Sequence, residues 1–342
     1  TRFAAVVHKY AAVCRDNKYS VRGLKYLAVG IDRFRPNSEY LTPLHSEYLC
    51  LALKSKNYKA GYELIETQIF DIDPNITGLT PRDMLLYYYY GGMVYIGVKS
   101  YTKALDFFNN ALTVPAYALN AIMVECFKKF VLVSLLVNGK FLGISKNATQ
   151  LVHRHMKTFC SQYIDFANAF AASELEKVKD LAEKHQELFQ KDNNLGLLKQ
   201  CLSALYRRNI QRLTATFMTL SLADIAKIVN LPSAKDAEKI LLKMIENGEI
   251  NAVINQKDGM VSFEEDVQTF NHPHTSAVLE ARVDKSIQLA NRLKSIDENI
   301  SSSTTYIARL NGLREEMLLD MDDRGFGRGM QGIGARVFSM FR

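Results

Sequence analysis

The segment EINAVINQKDGMVSFEED, Glu249 to Asp266, reads as a short β-hairpin. Two runs of β-formers, Ile250–Asn255 and Met260–Phe263, flank Asp258-Gly259, a dipeptide suited to a tight turn between antiparallel strands. Two helices with matched start signals come just before it. Ser221 is followed by Asp224 and Ser233 by Asp236, each at capping-box spacing with Asp in place of Glu or Gln. The first helix is expected over about Leu222–Val229 and breaks at Asn230-Leu231-Pro232. The second is expected to bury Ala237, Ile240, Leu241, Met244 and Ile245 and to stop at Asn247-Gly248. Helix, helix and hairpin after a helical lead-in is the order of a winged helix. Such a unit either reads a nucleic acid or offers its strand edge to another protein.

The location of charge separates the two. The 342 residues carry a net charge of +7, but residues 1–160 hold 20 Lys+Arg against 11 Asp+Glu, while residues 221–266 hold 5 against 9. The winged unit is therefore net −4. Phosphate contacts need clustered cations on the docking face. Lys235, Lys239 and Lys243 do step by four along the second helix, but Asp236, Glu238, Glu246 and Glu249 are interleaved with them. Glu264, Glu265 and Asp266 add anions at the exit of the hairpin. The wing is expected to bind protein by strand addition. Its candidate interface is Ile250, Ala252, Val253, Ile254 and Asn255, with Val261 and Phe263 from the second strand; no proline or lysine blunts Ile250–Asn255. The basic surplus of residues 1–160 is dispersed along the chain and reads as solvated surface.

Residues 1–160 contain a repeat. An aromatic residue follows a short polar turn at Tyr19, Tyr58, Tyr101 and Phe141, at intervals of 39, 43 and 40 residues. A period near 40 with helical patterning on both sides indicates stacked helix pairs. In the clearest unit Tyr101, Ala104, Phe108 and Ala111 share one helix face, a pattern resembling the second helix of a tetratricopeptide-type repeat. Ala104 would let a neighbouring helix approach while Phe108 fills the gap. The run YYYYGGMVY (Tyr87 to Tyr95) points all round a helix, so packing is a better reading than a base-stacking platform. The apolar run Phe130 to Val137 is far short of the roughly 20 residues that span a bilayer and reads as one buried helix face.

The fold expected is mostly α: a right-handed helical-repeat solenoid over 1–160 and a helical lead-in over 161–220, then the winged helix over 221–266. Helices over 275–320 and a glycine-rich, disordered tail over 321–342 complete it. Thr1 in place of Met suggests a chain truncated at its start. Leu279, Val283, Ile287, Ala290, Leu293, Ile296 and Ile300 step by three and four along an amphipathic helix. SSSTT (Ser301 to Thr305) interrupts it, and Ile307, Leu310, Leu313 and Met317 resume the stripe. So long a helix after the last globular unit reads as partner-binding.

No catalytic constellation emerges. Gly327, Gly329 and Gly332 spell a dinucleotide fingerprint, but no strand precedes them and only ten residues follow. The pairs His153/His155 and His272/His274 do not complete a metalloprotease pattern, which needs a Ser and an Asp further on; eight residues after each pair stand Tyr163 and Arg282. No enzyme activity, metal or cofactor is expected. Cys14, Cys50, Cys126, Cys160 and Cys201 include no C-x-x-C pair and read as free buried thiols in a reducing compartment. The triplets at Asn75, Asn147 and Asn299 are then coincidental.

Several blocks resemble the PCI family, the subunits shared by the proteasome lid, the COP-nine signalosome and translation initiation factor three. They are DNNLGLLKQ (Asp192 to Gln200), YRRNIQRLT (Tyr206 to Thr214), TLSLADIAKIVNL (Thr219 to Leu231) and AEKILLKMIENGEINAVINQKDGMVSF (Ala237 to Phe263). INQKDGMVSF (Ile254 to Phe263), YYYYGGMVYIG (Tyr87 to Gly97) and NAIMVECFKKFVLVSLLVNG (Asn120 to Gly139) resemble the signalosome branch in particular, and the likeness runs from about Leu24 to Ile300. The resemblance implies a non-catalytic scaffold in a hetero-oligomer, with no membrane or nucleic-acid partner. Its implied neighbours are signalosome subunits one and eight, met through winged-helix edges and C-terminal helices. In that complex a zinc metalloprotease subunit strips Nedd8 from cullin–RING ligases, in cytoplasm and nucleus. A PCI subunit of the proteasome lid or of the initiation factor, or a nucleic-acid-binding winged-helix protein, is the alternative.

Overall fold

A computed structural model describes residues 2–17, 19–67, 69–115, 118–264 and 273–312. The expected tail over 321–342, Leu313 and Met317 of the stripe, His272, and Glu265 and Asp266 of the acidic exit lie outside the described residues. The first compact unit ends at Glu264. It opens with α1 (Arg2–Asp16), α2 (Ser20–Phe34), α3 (Pro43–Lys54) and α4 (Tyr58–Glu66). The single turn α5 (Pro74–Thr77), α6 (Pro81–Gly97), α7 (Tyr101–Thr113) and α8 (Ala121–Asn138) follow. Then come α9 (Gln150–Phe159), α10 (Ser161–Ala171), α11 (Leu175–Lys184), α12 (Gln186–Lys191) and α13 (Leu195–Thr214).

The repeat has a backbone cause. Tyr58 and Tyr101 are the first residues of α4 and α7, and two residues before each stands a lysine in the left-handed region, Lys56 (φ 56°) and Lys99 (φ 64°). Ser173 (φ 60°) and Asn193 (φ 56°) hold the same place before α11 and α13. The next N–H reaches back five residues, Asn57 to the Ala52 carbonyl, Ser100 to Tyr95 and Asn194 to Phe189, each at 2.9 Å. This Schellman-type closure satisfies a carbonyl that the preceding helix leaves without an internal partner. It reverses the chain tightly enough for paired helices to pack.

The close pair α6/α7 shows what the small residues do. A Cβ on Gly92 would lie 2.6 Å from the Phe108 ring, so only glycine lets that ring seat on α6. Phe108, Ala104 and Ala111 are fully buried, Tyr87 is buried, and Tyr88, Tyr89 and Tyr90 pack against the same core. The tyrosine run is packing.

Two expectations need correction. Phe141 does not begin a helix. Gly139 ends α8 in the left-handed region (φ 73°), and Arg208 of α13 donates to the Val137 carbonyl at 3.0 Å, capping that end. A Cβ on Gly139 would fall 1.8 Å from the guanidinium. A loop then runs to α9, with the Phe141 ring edge-on to Phe127 (5.8 Å) and Phe130 (6.0 Å). The apolar run in α8 does not bury one face either. Phe130 to Leu135 are buried without interruption, because α6, α7, α9, α10 and α13 all pack around α8.

Charge is buried where α8 and α10 meet the α12–α13 turn. Lys129 Nζ donates to Asn194 Oδ1 (3.1 Å), Asn194 Nδ2 donates to the Tyr163 hydroxyl (2.9 Å), and that hydroxyl donates to Asp192 (2.8 Å). Lys128 pairs with Asp192 at 2.9 Å and Glu125 at 2.7 Å. Asn194 is fully buried and Lys129 nearly so. The DNNLG break is a polar lock between the repeats and the lead-in.

A titrating group is buried near the start of the array. His45, in the first turn of α3, accepts the Thr42 N–H at Nδ1 (3.2 Å). Burial pushes its imidazole from the ordinary 6.5 down to about 4. The unfolded chain therefore takes up a proton near pH 6.5 that the folded chain refuses until about pH 4, so folding stability falls as pH drops through that window. Taking the chain from pH 7.5 to 5.0 is expected to cost about 2 kcal/mol from this residue. Urea unfolding of His45→Gln at both values checks it, and an equal acid sensitivity of parent and variant would contradict it.

The unit closes with β1 (Thr219–Ser221), α14 (Leu222–Ile228), α15 (Ala234–Glu246), β2 (Ala252–Asn255) and β3 (Met260–Phe263). Ser221 and Ser233 each accept the N–H three residues on, from Asp224 (3.1 Å) and Asp236 (3.3 Å), as the caps predict. Ala237, Leu241 and Met244 are buried with Ile225, Val229, Ile250 and Val261, while Ile240 and Ile245 are partly buried against them. Ile210 of α13 belongs to the same core, which ties the winged unit to the lead-in helix. Separately, α16 (Pro273–Ser301) is a single helix of 29 residues, and a further helical stretch runs over 304–312.

Candidate protein-interaction site

The sheet is antiparallel with strand order β1-β3-β2, so β2 is an edge. Ala252 pairs with Phe263, Val253 with Ser262, Ile254 with Val261 and Asn255 with Met260. The Glu264 N–H donates to the Asn251 carbonyl at 2.9 Å. Ladder bonds alternate along an antiparallel strand, so residues 251, 253 and 255 face β3 with their backbone polar groups. The N–H and C=O of Ala252 and Ile254 point the other way, off the sheet. Among the described residues nothing pairs with that edge.

Side chains alternate on top of this pattern. Ala252 and Ile254 pack on the winged core, whereas Val253 is 55% exposed on the outer face. Asn255 is exposed and its amide donates to Asp258 at 2.7 Å, pinning the turn. That turn spans 256–259 rather than the Asp-Gly pair alone. Three of the residues grouped with the edge stand elsewhere. Val261 is fully buried and Phe263 partly buried on β3, which is the central strand because β1 takes its other side. Ile250 precedes β2 and is buried in the core. The exposed hydrogen-bonding edge narrows to Ala252–Asn255.

The missed element is β1. Thr219–Ser221 pairs with Met260–Ser262 and opens a second edge, flanked by Phe217 at 41% and Met218 at 79% exposure. These three residues read in the sequence only as the approach to a helix cap.

The surface around β2 does not suit phosphate. Lys239 is paired with Asp236 (3.7 Å) and Lys227 with Asp224 (3.8 Å), both exposed, and Glu264 is exposed beside the edge. On α16, Leu279, Val283, Ile287, Leu293, Ile296 and Ile300 are 39–67% exposed, and Ala290 is exposed between them. They form one apolar stripe at helical spacing. Of the five cysteines, all are free and buried, and burial raises the thiols of Cys126, Cys160 and Cys201. Burial thus disfavours the thiolate of all three at neutral pH.

Known proteins share both parts of this architecture. Residues 1–152 match the family model described as COP9 signalosome complex subunit 3, N-terminal helical repeats, and residues 181–265 match the PCI domain. COP9 signalosome complex subunit 3 of Drosophila melanogaster is 36% identical over 339 residues, 95% of this chain and 76% of that protein. Its Arabidopsis thaliana counterpart is 37% identical over 324 residues, 92% of this chain and 74% of that protein. The chain belongs to the COP9 signalosome subunit 3 family. The α-helical array of this family member thus carries the repeat model, and its PCI domain contains the β2 edge. These matches favour the signalosome branch over the proteasome lid and initiation factor three.

Proposed function

We propose that this chain is a non-catalytic scaffold subunit of the COP9 signalosome, holding neighbouring subunits by strand addition at β2 and by helix packing on α16. The observation that carries the reading is the outward N–H and C=O of Ala252 and Ile254 on an acidic winged unit. An unpaired edge is a liability unless a partner covers it, and an added strand supplies both hydrogen bonds and side-chain pockets. The neighbours proposed are signalosome subunits one and eight, in cytoplasm and nucleus, and the reaction served is removal of Nedd8 from cullin–RING ligases by another subunit. Family membership and the lack of a catalytic motif in the sequence support a structural part.

The helix makes its own prediction. Ile287→Asp places a charge in the middle of the stripe, where a shared bundle would have to desolvate it. Binding to purified subunits one and eight, followed by size exclusion, is expected to drop at least about tenfold, some 1.4 kcal/mol. The melting temperature of the first unit is expected to stay as in the parent. Unchanged assembly would show that the stripe is idle.

A further inference from the structure

The geometry points to a docking surface for an acidic segment of a neighbouring protein subunit, on α9 and the loop before it. The inference deepens the assembly reading above and rests on it. Between Glu125 and Asp165 the chain contains no acidic residue at all, yet it carries six lysines and arginines. Lys128 and Lys129 are used up internally by the polar lock. The other four, Lys140, Lys146, Arg154 and Lys157, are exposed, and none of them forms an ion pair among the described residues.

Two of the four share a face of α9 and two stand outward on the loop before it. In α9, Val152 and Met156 are buried, which turns Arg154 and Lys157, one turn apart, to the opposite face. In the loop, Phe141 and Ile144 pack against the same core as Val152 and Met156. Their neighbours Lys140, Leu142 and Lys146 are left outward. The basic surplus of the sequence thus has one concentrated stretch, and its loop part stands where the repeat pattern predicts a helix. Four cations with no anion interleaved differ from the lysine row on α15, where acids alternate with them. Charge complementarity selects an acidic partner.

Apolar exposure selects protein over polyphosphate. Leu142 is 65% and Phe159 62% exposed, one in the loop and one at the end of α9. A phosphate backbone would leave both wet, whereas an acidic segment carrying a leucine or an aromatic residue covers an apolar side chain and neutralises lysines together. Four cations are also few for nucleic acid, where affinity rises with the number of phosphates neutralised.

The test is lysine acetylation of the full chain, free and within the purified signalosome, read by peptide mass spectrometry with and without nuclease. Lys140, Lys146 and Lys157 are expected to react about tenfold more slowly in the complex, and a zero-length carbodiimide is expected to link them to Asp or Glu of another subunit. Arg154→Glu/Lys157→Glu is expected to melt with the parent and to weaken entry into the complex about tenfold at low salt, less at high salt. A complex that forms with these lysines as reactive as in the free chain overturns this inference alone. Protection that nuclease removes also overturns it, in favour of nucleic acid. A chain that forms no such complex overturns the assembly reading and this inference with it.

Discussion

A chain carrying Ala252→Pro is expected to fold as the parent does and to lose its place in the complex. The Ala252 N–H points away from β3, so proline removes no bond of the internal ladder. It replaces the outward donor by a ring carbon that the incoming strand must avoid. Loss of one docking hydrogen bond with that clash is expected to weaken assembly at least about tenfold. The neighbouring substitution has the opposite signature. Val253 faces β3 opposite Ser262, so Val253→Pro deletes a ladder bond and leaves a carbonyl unsatisfied, at a cost of about 1–3 kcal/mol to the folded chain. Thermal melting and binding measured on both variants separate the edge from the sheet. Normal assembly by Ala252→Pro would remove the strand-addition claim.

Asn194→Leu is expected to cost about 2–4 kcal/mol in folding stability, more than its size indicates. Asn194 accepts from Lys129 and donates to Tyr163 with no exposure of its own. Leucine removes the hydrogen-bond acceptor of the Lys129 ammonium inside the joint of α8, α10 and α13, leaving it Glu125 at 3.8 Å. Lys129→Met/Asn194→Leu removes the charge along with its partner and is expected to recover most of the loss. Burial holds the Lys129 ammonium below the ordinary lysine range. The unfolded chain then binds a proton that the folded chain sheds earlier, so stability of the parent relative to Lys129→Met rises with pH up to the ordinary lysine value. A single variant as stable as the parent, or a double variant as weak as the single, would show that the lock is ornamental.

The parts of the fold that local chemistry specifies were legible from the residues. Ser221 and Ser233 form the caps their spacing predicts, and on the Tyr101–Ala104–Phe108–Ala111 face the last three are buried and Tyr101 is partly buried against the same core. What failed depended on contacts distant in sequence. Phe141 follows a polar turn as Tyr58 and Tyr101 do, but Gly139 and Gly143 both take positive φ, and the aromatic ring turns back onto Phe127 instead of starting a helix. The left-handed turns at Lys56 and Lys99 carry no sequence signal, since lysine disfavours that conformation and only paired helices hold it there. Asp192 and Asn194 read as a polar break because their partner lysines lie more than sixty residues earlier. At the candidate site the β-formers of Ile250 to Asn255 indicated a strand, but which strand is central needs β1, only three residues long.

The most direct measurement of the central claim is a pull-down with the full chain from lysate of the source cells, nuclease-treated and untreated, read by quantitative mass spectrometry. The account predicts a stoichiometric set of PCI and metalloprotease subunits of the signalosome, the same in both samples. Nucleic acid recovered without that set would contradict it, and would turn attention to Lys235, Lys239 and Lys243 on α15.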